Sequence, residues 1–415
     1  MVLLQTLPLL ISWVGLVLYT MLAGADFGAG FWQLTAGGGE HGRRLRDHAH
    51  HAMAPLWEAN HVWLVLVLTV MWTAYPTVFG SVCSTLAIPI FLAAIGIVLR
   101  GICYALQTAT EEPAERRFID TAFALSSILT PFMLGTVIGG IASGRVPVGN
   151  AKGDMVTSWV NPTSLVSGCL AVAVGAYLAA VFLAADARRH PGSGLERAFR
   201  IRALIAGVAA GVLALVGLAV LAGDAPRIVA GLSSGWGAAA AVVSALGGVG
   251  SLVLVWLRRF ESARVAAGLA VAALLGGWAA AQRPYLRPGL TLGDAAADNA
   301  TLWAVVISVL LGLVVLAPSL ALLFRLSLAG HLDPDPGAPV RHATRGPDAV
   351  RPPWAGRVGM ACFLVGLVLL TLADAGVAHV FGVLALAGAG LAIFTAVGPD
   401  EVAAEEPRVF VRGRR

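Results

Sequence analysis

The feature that most limits what this chain can become is a series of apolar runs, each long enough to cross a lipid bilayer. A helix rises 1.5 Å per residue through a hydrocarbon core about 30 Å thick, so one span needs about 20 such residues. That test predicts spans near 6–34, 54–75, 79–107, 119–143, 161–186, 201–222, 228–257, 264–282, 301–326, 356–373 and 377–397. Only the tight "ADAGVAH" turn parts the last two, which form a hairpin or one broken re-entrant unit. In lipid every backbone N–H and C=O must be satisfied internally, which here means helices. The charged fraction is 12% against 58% hydrophobic residues, about half that of a soluble domain, and the 49 Gly suit closely packed spans. The fold class is an all-α polytopic membrane protein.

Orientation follows from Lys and Arg. With the N-terminus outside, the connections after spans one, three, five, seven and nine lie inside, together with the tail "RVFVRGRR". Of the 28 basic residues, those left outside are Arg145, Lys152, Arg227, Arg283 and Arg287. The positive-inside rule then places the N-terminus outside and the C-terminus in the cytoplasm. The start has no basic n-region and its apolar run is too long for a cleavable signal, so the first helix is expected to anchor the chain. The net charge of +5 is spread over short loops, which sets topology and argues against a nucleic-acid partner. The Pro-, Gly- and charge-rich segment 331–355 reads as a loosely held cytoplasmic linker. It divides a nine-span body, 1–330, from the hairpin 356–397 and a basic tail, 398–415. No short-period repeat is visible. Cys83, Cys103, Cys169 and Cys362 lie in or beside apolar runs without CxxC spacing, so buried, inert thiols are expected rather than disulfides or a metal site.

Polar residues inside hydrocarbon are costly and therefore informative. Asp26, in "AGADFGAG", lies about two turns from the inner end of span one, where a carboxylate costs about 2.5–3.5 kcal/mol on insertion scales. It is either a structural hydrogen-bond partner for a neighbouring helix or part of a proton path or cofactor-pocket wall. Gly24 and Gly28 make a smooth stripe on roughly the opposite side of that helix. Span two opens with "PLWEANHVWL". Pro55 suits a first helical turn, and Glu58 stands where the helix dipole favours negative charge. Trp57, Glu58 and His61 fall on one side, Asn60 and Trp63 on a second. An interfacial cap with an aromatic belt accounts for Pro55 and Trp57. A titratable pair at a cytoplasmic helix mouth, Glu58 with His61, suits proton uptake. Arg100 closes span three in "GIVLRG", either snorkelling to the headgroups or pairing with Glu58 or Asp26. Span four carries Ser126, Ser127 and Pro131, where a kink is expected, and a second packing stripe at Gly135 and Gly139. Of the nine His, His61 and His379 alone lie near hydrocarbon, and no pair is placed to ligate a haem.

"DFGAG", "PLWEANHVWL", "LRG", "LTPFMLGTVIGG", "SWVNPTSL" and "PYLRPGLTLGDAAADNATLWAVV…LAPSLALLF" together resemble subunit II of the cytochrome bd-type quinol oxidases, in collinear order over about residues 5–330. The "EANH" form is similar to the cyanide-insensitive branch. The resemblance implies two four-helix bundles plus a peripheral helix, in a heterodimer with a haem-bearing subunit I in the bacterial plasma membrane. It implies a complex that oxidises quinol and reduces dioxygen to water with cytoplasmic protons, generating proton-motive force without pumping. Haem b and haem d would be bound by subunit I and none by this chain, which is not catalytic alone and has no metal site. Quinol, lipid, a bound quinone and a small single-helix subunit are the further expected partners. Glu58, His61 and Asp26 would line a proton route, supported by Trp57, Asn60, Trp63 and Arg100. The hairpin after Pro353 lies outside the resemblance. The competing reading is a secondary transporter with Asp26 and Glu58 as coupling acids, for which inverted repeats would be expected and none is seen; another is an assembly factor.

Overall fold

The computed structural model describes residues 2–107, 113–189, 194–283, 285–287, 289–328, 355–372 and 376–397. Residues 1–332 and 333–415 form two compact units, considered separately.

The first unit is built from helices. α1 (Val2–Leu34), α2 (Gly39–Ala74), α3 (Pro76–Thr85), α4 (Ala87–Gln107) and α5 (Pro113–Ala142) make one group. α6 (Pro162–Ala187), α7 (Leu195–Asp224), α8 (Pro226–Leu232), α9 (Gly235–Trp256) and α10 (Phe260–Ala281) make the second. A two-stranded antiparallel ribbon, β1 (Tyr285–Arg287) and β2 (Leu290–Thr291), turns at Gly289 with φ +82°. The one-turn α11 (Leu292–Ala295) follows, and then α12 (Asn299–Leu328), which lies against α2 and α1. Within the first group α1 packs on α2 and α5, and α4 on α5. Within the second α6 packs on α7 and α10, and α9 on α7 and α10. These are two four-helix bundles plus a peripheral helix.

Three expected boundaries move. The run 79–107 is two helices parted at Leu86: α3, which begins at Pro76 and leaves α2 at 118°, ends at Thr85, and α4 begins at Ala87. The run 228–257 divides likewise, with α8 and α9 parted at Ser233 and Ser234. "HGRRLRDHAHH", expected as a loop, is helical: α2 starts at Gly39 and runs for 36 residues, about 54 Å, so it projects well beyond a 30 Å hydrocarbon core. Leu45 and Ala49 tie this extension into the core formed with Ala187, Leu195 and Phe199. Eight helices of the described residues are long and apolar enough to span, and the bent α2–α3 pair makes nine.

The two groups share one plan, long–long–short–long–long. The residues before Pro76 and Pro226 adopt almost the same backbone angles, φ −137°, ψ 61° at Tyr75 and φ −141°, ψ 63° at Ala225. Gly24 of α1 and Gly175 of α6 occupy corresponding places and touch each other, as equivalent residues beside a local two-fold axis do. The α1–α6 contact continues at Gly28, where an added Cβ would strike the Gly175 carbonyl, and at Trp32, whose Nε1–H donates to the Ala176 carbonyl at 2.8 Å. Gly135 and Gly139 of α5 admit the α6 backbone at Ser167 and Ser164 in the same way. α5 continues through Pro131 as a single helix. At the other end of the bundles, Arg145 donates to both carboxylate oxygens of Asp224, at 2.8 and 2.5 Å, and Thr163 donates to the same group at 2.5 Å. The bond to Asp224 holds the Arg145 pKa above its ordinary value.

All four cysteines are free; Cys103 is buried, but Cys169 is exposed, so the expectation of uniformly buried thiols fails there. In the second unit α13 (Ala355–Leu372) and α14 (Gly376–Val397) pack as a helical hairpin, with Gly366 against Leu386 and the Gly382 carbonyl. Residues 331–354 of the linker and the tail 398–415 lie outside the described residues.

Gly28→Ala places a methyl group against backbone that has nowhere to go, whereas at Gly24 the nearest atom is the movable Leu178 side chain at 3.1 Å. Gly28→Ala is expected to cost about 1–3 kcal/mol and Gly24→Ala clearly less. Thermal unfolding of the two purified variants checks the order, and equal losses would refute this packing account.

Candidate functional site

The site starts from "DFGAG", each residue of which has a separate contact. Asp26 is buried, and its Oδ1 accepts from Arg100 Nη2 at 2.6 Å and its Oδ2 from Arg100 Nε at 3.2 Å. Arg100 Nη2 also donates to the Asp26 carbonyl at 2.9 Å. The Phe27 ring lies 5.1 Å from the guanidinium carbon, with Phe123 of α5 at 4.1 Å. Gly28 admits α6, Ala29 lines a small cavity, and Gly30 leaves room for Ser127 Oγ and Arg100. Arg100 Nη1 donates to Ser127 Oγ, which in turn donates to the Phe123 carbonyl at 2.5 Å. From α2, Asn60 Nδ2 donates to Asp26 Oδ2 at 3.2 Å. Three helices thus meet on one carboxylate, and α5 joins through Ser127 on the guanidinium.

The side chains of Arg100 and Asp26 are 2% and 3% exposed. Arg100 therefore does not snorkel to headgroups; it turns inward because Asp26, Ser127 and two aromatic faces together replace its water. Of the two pairings expected for Arg100, the one with Asp26 is the one formed. Asn60 and Trp63 share one face, as their spacing predicts, and that face is buried, at 0% and 8% exposed. His61 is half-buried on the next face of α2. Trp57 and Glu58 lie in α2, but their side chains fall outside the described residues, as does that of His379 in α14.

Around this pair lie orphaned polar atoms, and two of the residues that carry them, Tyr19 and Thr130, were missed by sequence reasoning. Tyr19 Oη, Asn60 Oδ1, Trp63 Nε1 and Thr130 Oγ1 are buried without a hydrogen-bond partner among the described residues. Tyr19, Trp63 and Phe27 share one cluster, and Tyr19 stands two turns before Asp26 on the same face of α1. Its seven-residue spacing from Asp26 was the available signal. Unpaired buried polar atoms are the places where ordered water resides. A cavity of about 10 Å³, room for one water, lies beside the pair and is lined by Asp26, Gln33, His50, Arg100 and Tyr104 among others.

The second bundle carries a neutral counterpart. Tyr177 and Ser251 are 74 residues apart, as are Asp26 and Arg100, and they hold α6 to α9 through a buried hydroxyl–hydroxyl bond of 2.5 Å. Ser251 also bonds the Ala263 carbonyl of α10 at 2.8 Å. The same helix geometry is therefore held without charge one bundle away.

The profile of the family described as cytochrome bd terminal oxidase subunit II matches residues 4–327. The chain belongs to that family. It is similar to a bd oxidase chain of known structure from Geobacillus thermodenitrificans, at TM-score 0.61 and 26% identity, covering 79% of this chain and 99% of that one. A candidate cytochrome bd menaquinol oxidase subunit II of Bacillus subtilis is 25% identical over 199 residues, 48% of this chain and 56% of the relative. Cytochrome bd-I ubiquinol oxidase subunit 2 of Escherichia coli K12 is 24% identical over 133 residues, 32% of this chain and 34% of the relative. These matches span about half or less of the curated relatives' length.

The family implies haem in the assembled oxidase. The Asp26–Arg100 site of this chain does not fit a haem iron, because the carboxylate is already held by a guanidinium and an amide, and the cavity beside it, about 10 Å³, is the size of a water. Among the described residues no three His, Cys, Asp or Glu side chains converge on a metal position.

Removing one partner of a buried pair leaves the other charge uncompensated, at a cost of about 3–5 kcal/mol. Asp26→Asn and Arg100→Gln are each expected to destabilise by that amount. The double variant, whose neutral pair imitates Tyr177 and Ser251, should lose less than either single one. A double-mutant cycle by thermal or denaturant unfolding measures this.

Proposed function

We propose that this chain is the subunit of a cytochrome bd-type terminal oxidase that ligates no haem, and that it carries protons toward a haem-bearing partner. The complex would couple quinol oxidation to reduction of dioxygen to water in the bacterial plasma membrane, building proton-motive force without pumping. Haem b and haem d would belong to subunit I. Quinol, lipid, a bound quinone and a small single-helix subunit complete the proposed assembly. In this reading the N-terminus is outside, and the end of the bundle where α1 finishes and α2 begins faces the cytoplasm.

The observation that carries the proton role is the Asp26–Arg100 pair with its orphaned polar neighbours. Its counterpart in the second bundle joins the corresponding helices with two neutral hydroxyls, so helix packing does not require charge there. A carboxylate and a guanidinium retained inside hydrocarbon, beside a water-sized cavity, suit proton transfer. Water can bridge Asn60 Oδ1 and Tyr19 Oη inward from Asp26. Glu58, with His61 one turn on along α2, is assigned the mouth of the route, and Trp57 and Trp63 flank it. A transporter acting alone is the second reading. Against it, four spans (α1, the bent α2–α3 pair, α4 and α5) precede α6, so α6 would cross in the same direction as α1, not inverted as in broken-helix transporters.

In the complex with the haem-bearing subunit, Glu58→Gln should lower oxygen consumption per haem d by about tenfold or more, the scale on which a positioned proton-transfer group acts. Full turnover per haem in Glu58→Gln and Glu58→Ala would remove Glu58 from the route. The hairpin is assigned a dispensable, peripheral role, so a chain ending at Gly330 should still copurify with its partner, and loss of the complex would overturn this.

A further inference from the structure

The second bundle gathers arginines at the end where α6 finishes and α7 begins. Arg188 of α6 donates to the Arg258 carbonyl at 2.6 Å, and Arg200 of α7 donates to the Val255 and Trp256 carbonyls at 3.2 and 2.6 Å. These two satisfy the last carbonyls of α9. Arg197 and Arg259 are exposed and make no ion pair among the described residues. Arg258 meets Glu196 at 3.9 Å with its side chain 59% exposed, a pair that adds little to stability. That contact does bring Arg258 beside the turn that carries Arg197. The other acids nearby, Asp186 and Glu261, lie on Arg189 and Arg264 at 3.7 and 3.0 Å. The backbone of Arg258 is strained. Its N–H donates to the Val255 carbonyl at 3.1 Å and that of Arg259 to the Leu254 carbonyl at 2.8 Å, the pattern that ends a helix in a left-handed residue, ordinarily glycine. Arg258 takes that place at φ +60°. A guanidinium kept where glycine would cost less points to a role outside the fold.

From these arginines two exposed apolar stripes run into the bilayer. On α7, Ile201, Ile205 and Val208 continue from Arg197 at helical spacing; on α9, Val249, Val253 and Trp256 lead up to Arg258 and Arg259. The two helices touch at Gly207, where an added Cβ would lie 2.5 Å from the Leu252 side chain. One turn deeper, a Cβ at Gly211 or Gly248 would meet no atom within 4 Å, so a furrow opens between them. The Trp256 ring stands at its rim, with the Arg200 guanidinium carbon 5.5 Å from the ring centroid. We propose that this end of the second bundle holds an anionic phospholipid, its phosphate among Arg197, Arg258 and Arg259 and an acyl chain in the furrow between α7 and α9. The inference rests on the membrane-spanning fold and is independent of the proton route. A guanidinium offers phosphate a fork of N–H donors and is weakly hydrated, which suits a membrane surface. Basic pockets between spans recognise anionic headgroups, and tryptophan belongs at that depth. A zwitterionic lipid would leave the arginines uncompensated, and a soluble acidic partner would leave the furrow empty.

The test uses the chain assembled with its haem-bearing partner, stripped of lipid in a neutral detergent and offered phosphatidylglycerol or phosphatidylcholine. Native mass spectrometry counts the retained lipid, and thermal unfolding is followed alongside. The parent should retain phosphatidylglycerol in preference and unfold at a higher temperature with it. Arg258→Gly relieves the backbone, so in detergent alone it should unfold no earlier than the parent, yet it should bind phosphatidylglycerol about fivefold more weakly. Arg197→Gln and Arg259→Gln should weaken binding by a similar factor. Arg227→Gln, which removes an exposed arginine at the other end of the bundle, should not. Equal retention of the two lipids overturns the proposal, and so does parent-like phosphatidylglycerol binding in the three variants. A loss of equal size in Arg227→Gln would also overturn it, since general charge would then account for the binding. Inorganic phosphate that protects the parent as well as the lipid does would reduce the site to a bare anion and refute the furrow.

Discussion

A carboxylate and a guanidinium cannot stand alone in hydrocarbon, and the first bundle is organised around keeping Asp26 and Arg100 together. Their separation of 74 residues means that α1 and α4 must be brought within reach of the Arg100 side chain before either charge is compensated. The remaining lone pairs and N–H groups then recruit Asn60 from α2 and Ser127 from α5. Gly28 and Gly30 follow from the same demand. One lets α6 close on the back of α1, and the other leaves the space in which Ser127 and Arg100 meet. The two phenyl faces exclude water from the guanidinium while still offering it their electron-rich surfaces.

The duplicated plan supplies an internal comparison. Both bundles break their second helix before a proline, insert a short helix and continue, and both join the first and fourth elements at corresponding places. One uses charges and the other hydroxyls. Buried ion pairs are poor sources of stability relative to neutral or apolar replacements, so their retention in one bundle points to chemistry rather than to packing. The orphaned polar atoms near Asp26 and the water-sized cavity lined by His50 occur on that charged side.

The spans, the fold class and the two glycine stripes were legible because they depend on local quantities: run length, residue size and the 3.6-residue period. Asp26 was legible as a cost, since a carboxylate in an apolar run is anomalous wherever the chain goes. That Asn60 and Trp63 share one face followed from helical spacing alone; that this face is the inward one did not. The partner of Arg100 was not legible, because an arginine at a span end satisfies snorkelling and pairing equally well in one dimension. The helical character of "HGRRLRDHAHH" was hidden by its polarity, which is that of a loop until Leu45 and Ala49 find the ends of α6 and α7.

By itself, then, the sequence determined a helical membrane protein with costly polar residues at the ends of its first spans, since hydrophobicity and periodicity act over a few residues and need no partner. Only the tertiary structure decided that Arg100 turns inward to Asp26, that Asn60 and Ser127 complete the pair, and that His50 lines the cavity beside it. Those contacts join residues far apart in the chain, and a buried charge takes whichever partner folding brings within hydrogen-bonding distance.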